Sequence, residues 1–244
     1  MYSSAIFPHA GATLEEASRA KLARICRRLE LGPDDHLLEI GTGWGGMAEY
    51  AARHTGCRVT TTTISRQQYD YATQRIAAAG LSERVTVLLQ DYRGPAGQYD
   101  RLVSIEMIEA VGHRYLPQYF AACNRLLKPE GLMLLQSILM PDQRYARSIF
   151  PGGFLPSTGA IATLTGTHTD MQLIDTLDIT AHYADTLAAW RRRFHAGTEA
   201  IRALGYSEDF VRLWDYYFCY CEGGFRERVI GTAQFLLAKP QYRP

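Results

Sequence analysis

A glycine-rich segment after a short apolar run most constrains what this chain can fold into. Residues 36–40 read HLLEI, which is typical of a buried strand, and residues 41–46 read GTGWGG before a helical stretch begins. Glycines at a strand-to-helix turn allow positive φ angles and let the backbone approach a ligand closely. The pattern therefore predicts an α/β fold with a ligand site at this turn, and the structural alternative is a tight turn that binds nothing.

Short strands alternate with helices through the first 138 residues. The pattern predicts strands at 36–40, 58–62, 85–89, 101–105 and 132–138, and helices near 14–29, 45–53, 66–79 and 116–127. This alternation favours a parallel sheet with helices on both faces. The alternation stops after Ile138, where residues 139–180 are predicted to form a cap. Helices near 185–204 and 208–221 and a last strand at 233–238 follow.

The composition excludes several classes of protein. The 244 residues are 47% apolar and 21% charged, which is typical of a globular chain and excludes wholesale disorder. With 26 basic and 25 acidic residues the net charge is +1, so no basic surplus indicates nucleic-acid binding. No apolar run is long enough to span a membrane, and the histidines and cysteines show no metal-ligand spacing. Because the N-terminus does not resemble a signal peptide, we expect a cytoplasmic protein with reduced thiols.

Two cofactor classes fit the glycine turn. It matches the dinucleotide pattern GxGxxG, and it equally fits S-adenosylmethionine (SAM). A dinucleotide site needs an acidic residue about 20 positions later for the ribose, but residues 60–63 are all threonine. SAM has no phosphate, and Asp91 and Tyr92, after the third predicted strand, suit its adenine. The sequence therefore favours SAM, and the alternative role of Asp91 is to cap a turn.

Two carboxylates, Glu106 and Glu109, follow the fourth predicted strand. Ligands bind at the carboxyl ends of strands in open α/β sheets. Three residues apart at a helix start, both side chains can face one pocket. Sharing that pocket raises one pKa, which suits a proton acceptor or a group that stabilises a cation. The structural alternative for either residue is a favourable interaction with the helix N-terminus.

Eight short motifs run through nearly the whole chain. In order, they are YSSAIF at 2–7, LEIGTGWGG at 38–46, TISRQQ at 63–68, QDY at 90–92, SIEMIEAVG at 104–112, FPGGFLPS at 150–157, HY at 182–183 and YCEGGF at 220–225. This set resembles the cyclopropane-fatty-acid synthase and mycolic acid cyclopropane synthase family of SAM-dependent methyltransferases. The resemblance implies a Rossmann-like class I methyltransferase fold, with a mostly parallel seven-stranded sheet, helices on both faces and a cap insertion.

The resemblance also implies an organisation and a set of cofactor contacts. A single domain, 1–244, would comprise a SAM-covering segment (1–30), a SAM-binding core (31–138), a substrate cap with its helices (139–228) and a closing strand with a tail (229–244). The residues expected to contact SAM are Tyr2 and Ser3, which would close over it, Gly41, Gly43 and Gly45 beneath its amino-acid part, Thr63, Ile64 and Gln68 at the nucleoside, and Asp91 and Tyr92 at the adenine.

The family holds a bicarbonate ion as its catalytic base, so the resemblance implies an anion site. Its positions here are Ser4, Glu109, Gln136, Ile138 and Tyr183. Two positions depart from the family pattern, because Ser4 replaces a cysteine and Gln136 replaces a histidine. Both can donate hydrogen bonds to an anion, but Gln136 cannot carry a positive charge. The departures predict a weaker or shifted anion and, with it, some methyl-branched product.

The implied activity is methyl transfer from SAM to the double bond of an unsaturated fatty acyl chain, with a cyclopropane or methyl-branched product. Because the substrate is a lipid, we expect the protein to act at the inner face of a membrane. The alternatives are a methyltransferase for a smaller natural product, a nicotinamide-dependent oxidoreductase and a SAM-binding protein without activity. The family has more chain before the motif at residue 2 and a longer segment near 145–150, and either difference predicts a more open substrate channel.

Overall fold

The computed structural model describes residues 1–140 and 153–244. The strands in these residues are β1 (His36–Ile40), β2 (Arg58–Thr63), β3 (Val85–Leu89), β4 (Tyr99–Ile105), β5 (Leu127–Leu139), β6 (Gln172–Asp178) and β7 (Gly231–Ala238). They form one seven-stranded sheet in the order β3-β2-β1-β4-β5-β7-β6. β7 pairs antiparallel with β5 and β6, and the remaining pairings are parallel. The predicted mostly parallel seven-stranded sheet is confirmed.

Helices cover both faces of this sheet. They are α1 (Leu14–Arg28), α2 (Gly46–Thr55), α3 (Arg66–Ala78), α4 (Leu116–Leu126), α5 (Thr158–His168), α6 (Thr180–Ala196), α7 (Thr198–Ala203) and α8 (Glu208–Arg226). Leu37 of β1 packs in one core with Ile25 of α1 and Met47 of α2. Its neighbour Leu38 packs in a second core with Phe120 of α4. Because successive strand residues point to opposite faces, the two cores lie on opposite sides of the sheet.

Local signals start two of the helices where the sequence predicts. The Thr13 hydroxyl accepts a hydrogen bond from the Glu16 backbone N–H at 3.2 Å, and Glu16 Oε2 accepts one from the Thr13 backbone N–H at 2.7 Å. This is the reciprocal capping box that precedes α1. The Ser65 hydroxyl caps α3 in the same way by accepting from the Gln68 backbone N–H at 3.3 Å.

The structure differs from the prediction after residue 139. The sequence predicted a cap for 139–180, yet α5 and β6 form there and β6 is the edge strand beyond β7. β6 was missed because its side chains are mostly exposed, so it lacks an apolar alternation, and α5 because it is rich in threonine and glycine. The helix predicted at 185–204 begins earlier, at Thr180, and is divided at Gly197 into α6 and α7. The motif residues 150–152 and the segment 145–150 lie outside the described residues.

Candidate active site

The glycine turn follows β1 at the carboxyl end of the sheet, where the strand order changes direction. Gly41, Gly43 and Gly45 have φ angles of 99°, 51° and 77°, which L side chains rarely adopt. A Cβ at Gly41 would lie 3.2 Å from Met107 Cβ, and a Cβ at Gly45 would lie 3.2 Å from Ala72 Cβ. The turn therefore requires glycine both for its conformation and for its close packing.

The N-terminal segment lies over this turn. A Cβ at Gly43 would be 3.7 Å from Cε1 of Tyr2. The Tyr2 hydroxyl accepts a hydrogen bond from Gln68 Nε2 at 2.8 Å, and Gln68 Oε1 accepts one from Thr63 Oγ1 at 2.7 Å. The fold thus brings together the N-terminus, the glycine turn, the end of β2 and the first turn of α3. The family resemblance had assigned Tyr2, Gly43, Thr63 and Gln68 to the cofactor, and these four residues lie together in the structure.

The residues predicted to contact the nucleoside and adenine have different surroundings. Ile64 is 78% exposed, which is unusual for an isoleucine and leaves it free to contact a ligand. Both carboxylate oxygens of Asp91 accept hydrogen bonds from the Arg93 guanidinium, at 2.6 and 3.1 Å, and Oδ1 also accepts from the Arg93 backbone N–H. The turn-capping role of Asp91 is therefore present in the structure. The Tyr92 ring packs edge-on against Tyr119, with ring centroids 5.4 Å apart.

A buried carboxyl group that sequence reasoning did not assign to the site precedes the glycine turn. Glu39 is 3% exposed, and burial raises its pKa to about 8. Within the described residues its Oε2 atom has no hydrogen-bond partner. Such an oxygen suits a positively charged or donor group of a ligand. The available signal was an acidic residue in an otherwise apolar strand, two positions before the first glycine.

Glu106 lies directly after β4 and collects hydrogen bonds from three elements. Its Oε1 atom accepts from the Ser4 backbone N–H at 2.9 Å and from Gln136 Nε2 at 2.8 Å, and its Oε2 atom accepts from the Tyr183 hydroxyl at 2.8 Å. The Ser4 hydroxyl donates elsewhere, to the Ala5 carbonyl. Burial raises the pKa of Glu106, while the charge of Lys21 and these three donors oppose the rise.

Glu109 follows Glu106 by three residues and lies on a short 3-10 turn, Ile108–Ala110. Its Oε1 atom accepts from the Ile138 backbone N–H at 2.6 Å and from the Ser137 hydroxyl at 3.1 Å. Its Oε2 atom has no partner among the described residues. Burial, with the nearby charge of Glu106, raises the pKa of Glu109 to about 8. Burial thus raises the pKa of both carboxyl groups, and the charge of Glu106 adds to the rise at Glu109. Glu106 itself has a φ of 48° and does not begin a helix.

The negative charge of Glu106 is balanced by a fully buried lysine, which the sequence analysis missed. Lys21 of α1 is 0% exposed and donates a hydrogen bond from Nζ to the Ser3 hydroxyl at 2.6 Å. Burial lowers its pKa to about 8, and the attraction of Glu106 opposes the decrease. Lysine is rarely found inside a protein without a partner charge. Its position in an amphipathic helix gave no sign of burial, because lysine usually lies on the exposed face.

Two hydrogen bonds in series, from Arg24 through Gln234, hold the amide oxygen of Gln136. Arg24 Nε donates to Gln234 Oε1 at 3.1 Å, and Gln234 Nε2 donates to Gln136 Oε1 at 3.0 Å. Gln136 is fully buried and Gln234 is 3% exposed. Gln234 and Ser137 were also missed, because a polar residue in the middle of a strand carries no signal of what it will contact.

An aromatic cluster borders the carboxyl pair. Tyr183 stacks on Phe225 with ring centroids 4.3 Å apart and meets Trp190 edge-on at 6.2 Å. Phe218 belongs to the same buried cluster, and Ile138 packs against it. The members come from β5, α6 and α8. The cluster therefore places buried aromatic rings beside Glu106.

Comparison with known proteins identifies the family of this chain. Residues 1–235 match the model of the family described as mycolic acid cyclopropane synthetase. The chain belongs to this family. It is 42% identical over 236 residues to tuberculostearic acid methyltransferase of Mycobacterium tuberculosis, covering 93% of this chain and 55% of that protein. It is also 42% identical over 244 residues to cyclopropane-fatty-acyl-phospholipid synthase of Escherichia coli, covering 98% of this chain and 62% of that protein.

The fold of this mycolic acid cyclopropane synthetase family member agrees with a solved relative. A crystal structure of a mycolic acid cyclopropane synthase complexed with SAH and CTAB has a TM-score of 0.91 and 28% identity, over 98% of this chain and 90% of that one. The resemblance and the Rossmann-like methyltransferase fold are therefore confirmed. The chain spans little more than half the length of the two curated relatives.

The raised pKa of Glu109 predicts a specific dependence of stability on pH. In the unfolded chain this carboxyl group ionises above its ordinary pKa of 4.5, whereas the folded protein holds the proton up to about pH 8. The contribution of Glu109 to stability is therefore lost as pH rises through this interval. Glu109→Gln removes this contribution and keeps those of the other buried carboxyl groups, which cancel in the difference between the two proteins. We expect the unfolding free energy of the variant minus that of the wild type to grow by about 1.4 kcal/mol per pH unit between pH 5 and 8.

Urea denaturation at several pH values measures this difference. Glu199→Gln is the matched control, because the Glu199 side chain is 90% exposed, and its difference from the wild type should stay near zero. A difference for Glu109→Gln that is constant over the whole interval would show that Glu109 is ionised in the folded protein.

Proposed function

We propose that this protein transfers a methyl group from SAM to a double-bond carbon of an unsaturated fatty acyl chain. The observation that carries the proposal is the grouping of a covered glycine turn, two carboxyl groups and an aromatic cluster around one end of the sheet, in a chain of this family. The names of the two relatives, a tuberculostearic acid methyltransferase and a cyclopropane-fatty-acyl-phospholipid synthase, support an acyl substrate. In this proposal residues 1–30 cover the cofactor, 31–138 bind it, 139–228 bind substrate and 229–244 close the domain.

The residues around the glycine turn fit SAM. SAM supplies an electrophilic methyl group when it is bound. Its amino-acid part would lie on the turn, where Oε2 of Glu39, which has no partner among the described residues, offers an acceptor. Exposed Ile64 and the ring of Tyr92 offer apolar surfaces for the nucleoside. Tyr2, held by Gln68, would cover the site and exclude water.

The aromatic cluster suits the acyl chain. An alkene is a weak nucleophile, so the protein must act mainly by positioning it, and good positioning is worth roughly 7–11 kcal/mol. Methyl transfer leaves a positive charge on the acyl chain, which ring faces and a carboxylate stabilise. Tyr183 and Phe225 supply stacked rings, and Glu106 supplies a carboxylate next to Tyr183.

A lipid substrate would bring the protein to a membrane surface. Among the described residues, no helix has both the length and the apolar character needed to cross a bilayer. Among the exposed apolar and aromatic side chains are Leu213, Tyr216 and Tyr220 of α8, whose spacing of three and four residues places them on one face of the helix. Leu204 and Tyr206, just before α8, are also exposed. Aromatic side chains of this kind are favoured at membrane interfaces. We assign contact with the lipid surface to this face.

The bicarbonate ion implied by the family resemblance does not fit the residues present. Ser4, Gln136 and Tyr183 were expected to bind it, and all three donate to the carboxylate of Glu106. A second anion would have to displace Glu106 or lie beside its negative charge, which is unfavourable. No proton transfer through bicarbonate is therefore part of the proposal.

Gly43→Val should abolish most SAM binding. The new side chain would be strained at a φ of 51° and would lie between the turn and Tyr2, so we expect SAM affinity to fall by about 100-fold or more. Isothermal titration calorimetry measures it. Gly80→Val is the matched control, because Gly80 also has positive φ, at 69°, and a Cβ there meets nothing within 4 Å. Equal SAM affinity in the two variants would contradict the assignment of the cofactor site.

Incubation with SAM and unsaturated phospholipids should add one carbon to the acyl chains, and the same lipids with saturated chains should stay unchanged. Mass analysis after hydrolysis of the lipids detects the product. With methyl-deuterated SAM, ring closure removes one deuterium from the transferred methyl group, whereas branching keeps all three. We expect some product with three deuteriums. Methylation of head groups alone, or of saturated chains equally, would exclude the double bond as the acceptor.

A further inference from the structure

The Glu106 carboxylate occupies the centre of a ready-made anion site. A backbone N–H, an amide and a phenol converge on its two oxygens within 2.8–2.9 Å, from Ser4, Gln136 and Tyr183. A carboxylate offers the same planar pair of acceptor oxygens as bicarbonate. These donors are three of the five positions that the resemblance assigned to the external ion. The chain's own side chain therefore receives the hydrogen bonds that such an ion would need.

The direction of the bonds to Oε1 is fixed by chemistry. The Ser4 backbone N–H can only donate. Arg24 also can only donate, so the amide oxygen of Gln234 must face it and the Gln234 amide nitrogen must face Gln136. This in turn directs Nε2 of Gln136 toward Glu106. Oε1 of Glu106 is consequently an acceptor in both bonds, and any proton that the group gains must be held at Oε2.

The charges around the carboxyl pair favour one ionised group and one neutral group. Lys21, which is fully buried, stabilises the negative charge of Glu106. Glu109 receives two hydrogen bonds on one oxygen, and burial together with the charge of Glu106 raises its pKa to about 8. Three donors and the charge of Lys21 therefore stabilise the ionised form of Glu106, whereas both hydrogen bonds to Glu109 reach a single oxygen. The ionised form of Glu106 is the one able to accept a proton.

The backbone of Glu106 gives independent support. Its φ of 48° is uncommon for a residue other than glycine, asparagine or aspartate. A conformation of this kind is strained and is found preferentially at functional sites. Its backbone N–H is nevertheless held by the Gln136 carbonyl at 2.8 Å, so the conformation is part of the ordered structure.

Accepting the methyl transfer of the proposed function as a premise, we propose that the Glu106 carboxylate is the proton acceptor of the reaction and takes the place of an external anion. After a methyl group has joined the double bond, the acyl chain carries a positive charge. If a C–H bond of the transferred methyl group breaks, its electron pair forms a bond to the cationic carbon and closes a three-membered ring. If a C–H bond on the chain carbon adjacent to the cationic carbon breaks, its electron pair forms an alkene. In either case the proton moves to Oε2 of Glu106. The neutral carboxylic acid then releases the proton to solvent, so no other reactant is consumed.

Bicarbonate binding tests the inference without any turnover. We expect wild-type protein, free of SAM, to leave the carbon-13 NMR line of labelled bicarbonate unbroadened. Glu106→Gly removes the side chain but keeps its donors, so this variant should broaden the line and should also bind formate. Glu106→Gln fills the space and should bind neither anion. Binding of bicarbonate by the wild type as strongly as by Glu106→Gly would overturn the inference, whatever the activity.

The rate of acyl methylation provides a second test. We expect wild-type acyl methylation to be the same in buffer freed of carbon dioxide and in buffer with added bicarbonate. Glu106→Gln should lower the rate by about 100-fold or more while SAM affinity stays within about threefold. Formate or bicarbonate should restore activity to Glu106→Gly and not to Glu106→Gln. The exposed control Glu199→Gln should match the wild type.

The possible failures are distinguishable. If Glu106 served only to anchor the N-terminal segment, Glu106→Gln would lose SAM affinity in step with rate, and anions would restore nothing. That result, or a wild-type rate that depends on bicarbonate, would refute the role of Glu106 and leave the methyltransferase function intact. Wild-type protein that binds SAM but modifies no acyl chain would refute the proposed function, while the NMR comparison would still decide whether Glu106 fills the anion site.

Discussion

A negative charge with little access to water lies at the end of β4, and much of the site is built around it. Removing a carboxylate from water is costly unless hydrogen bonds and an opposite charge compensate. For Glu106 the donors come from Ser4, Gln136 and Tyr183, which are 102, 30 and 77 positions away in the chain. Lys21 supplies the opposite charge. One side chain thereby joins the N-terminal segment, β5, α6 and α1 at one point.

The same N-terminal segment joins the cofactor cover to this charge. Five of its first seven residues bond to separate partners: Tyr2 to Gln68, Ser3 to Lys21, Ser4 to Glu106, Ala5 to the Thr186 hydroxyl at 3.0 Å and Phe7 to His182 Nδ1 at 3.2 Å. Consecutive residues therefore contact the glycine-turn side of the site and its carboxylate side. In the proposed reaction, the segment that keeps water from the methyl group also holds the proton acceptor in position.

Local patterns were sufficient for most of the fold. The apolar run of β1 and the capping residues Thr13 and Ser65 act on neighbours a few positions away, so the sequence shows them directly. β6 and α5 were missed because their own residues give little indication of a strand or a helix. An exposed edge strand needs no apolar alternation, and it forms here because β7 offers it a partner. A threonine-rich helix forms because α4 and the sheet cover its apolar side chains.

For the site, as for the fold, short local patterns could be predicted from the sequence and long-range contacts could not. The sequence by itself determined the glycine turn and the pair Glu106 and Glu109, because each is a short pattern whose chemistry depends on close neighbours. The resemblance added Ser4, Gln136 and Tyr183 as donors to an anion, but it took that anion to be external. Only the tertiary structure decided that these donors meet Glu106, because contacts across 30 to 102 residues depend on how strands and helices pack. The buried charge of Lys21 and the amide direction set by Arg24 were likewise decided by packing, since neither residue's own sequence position distinguishes it from a surface cation.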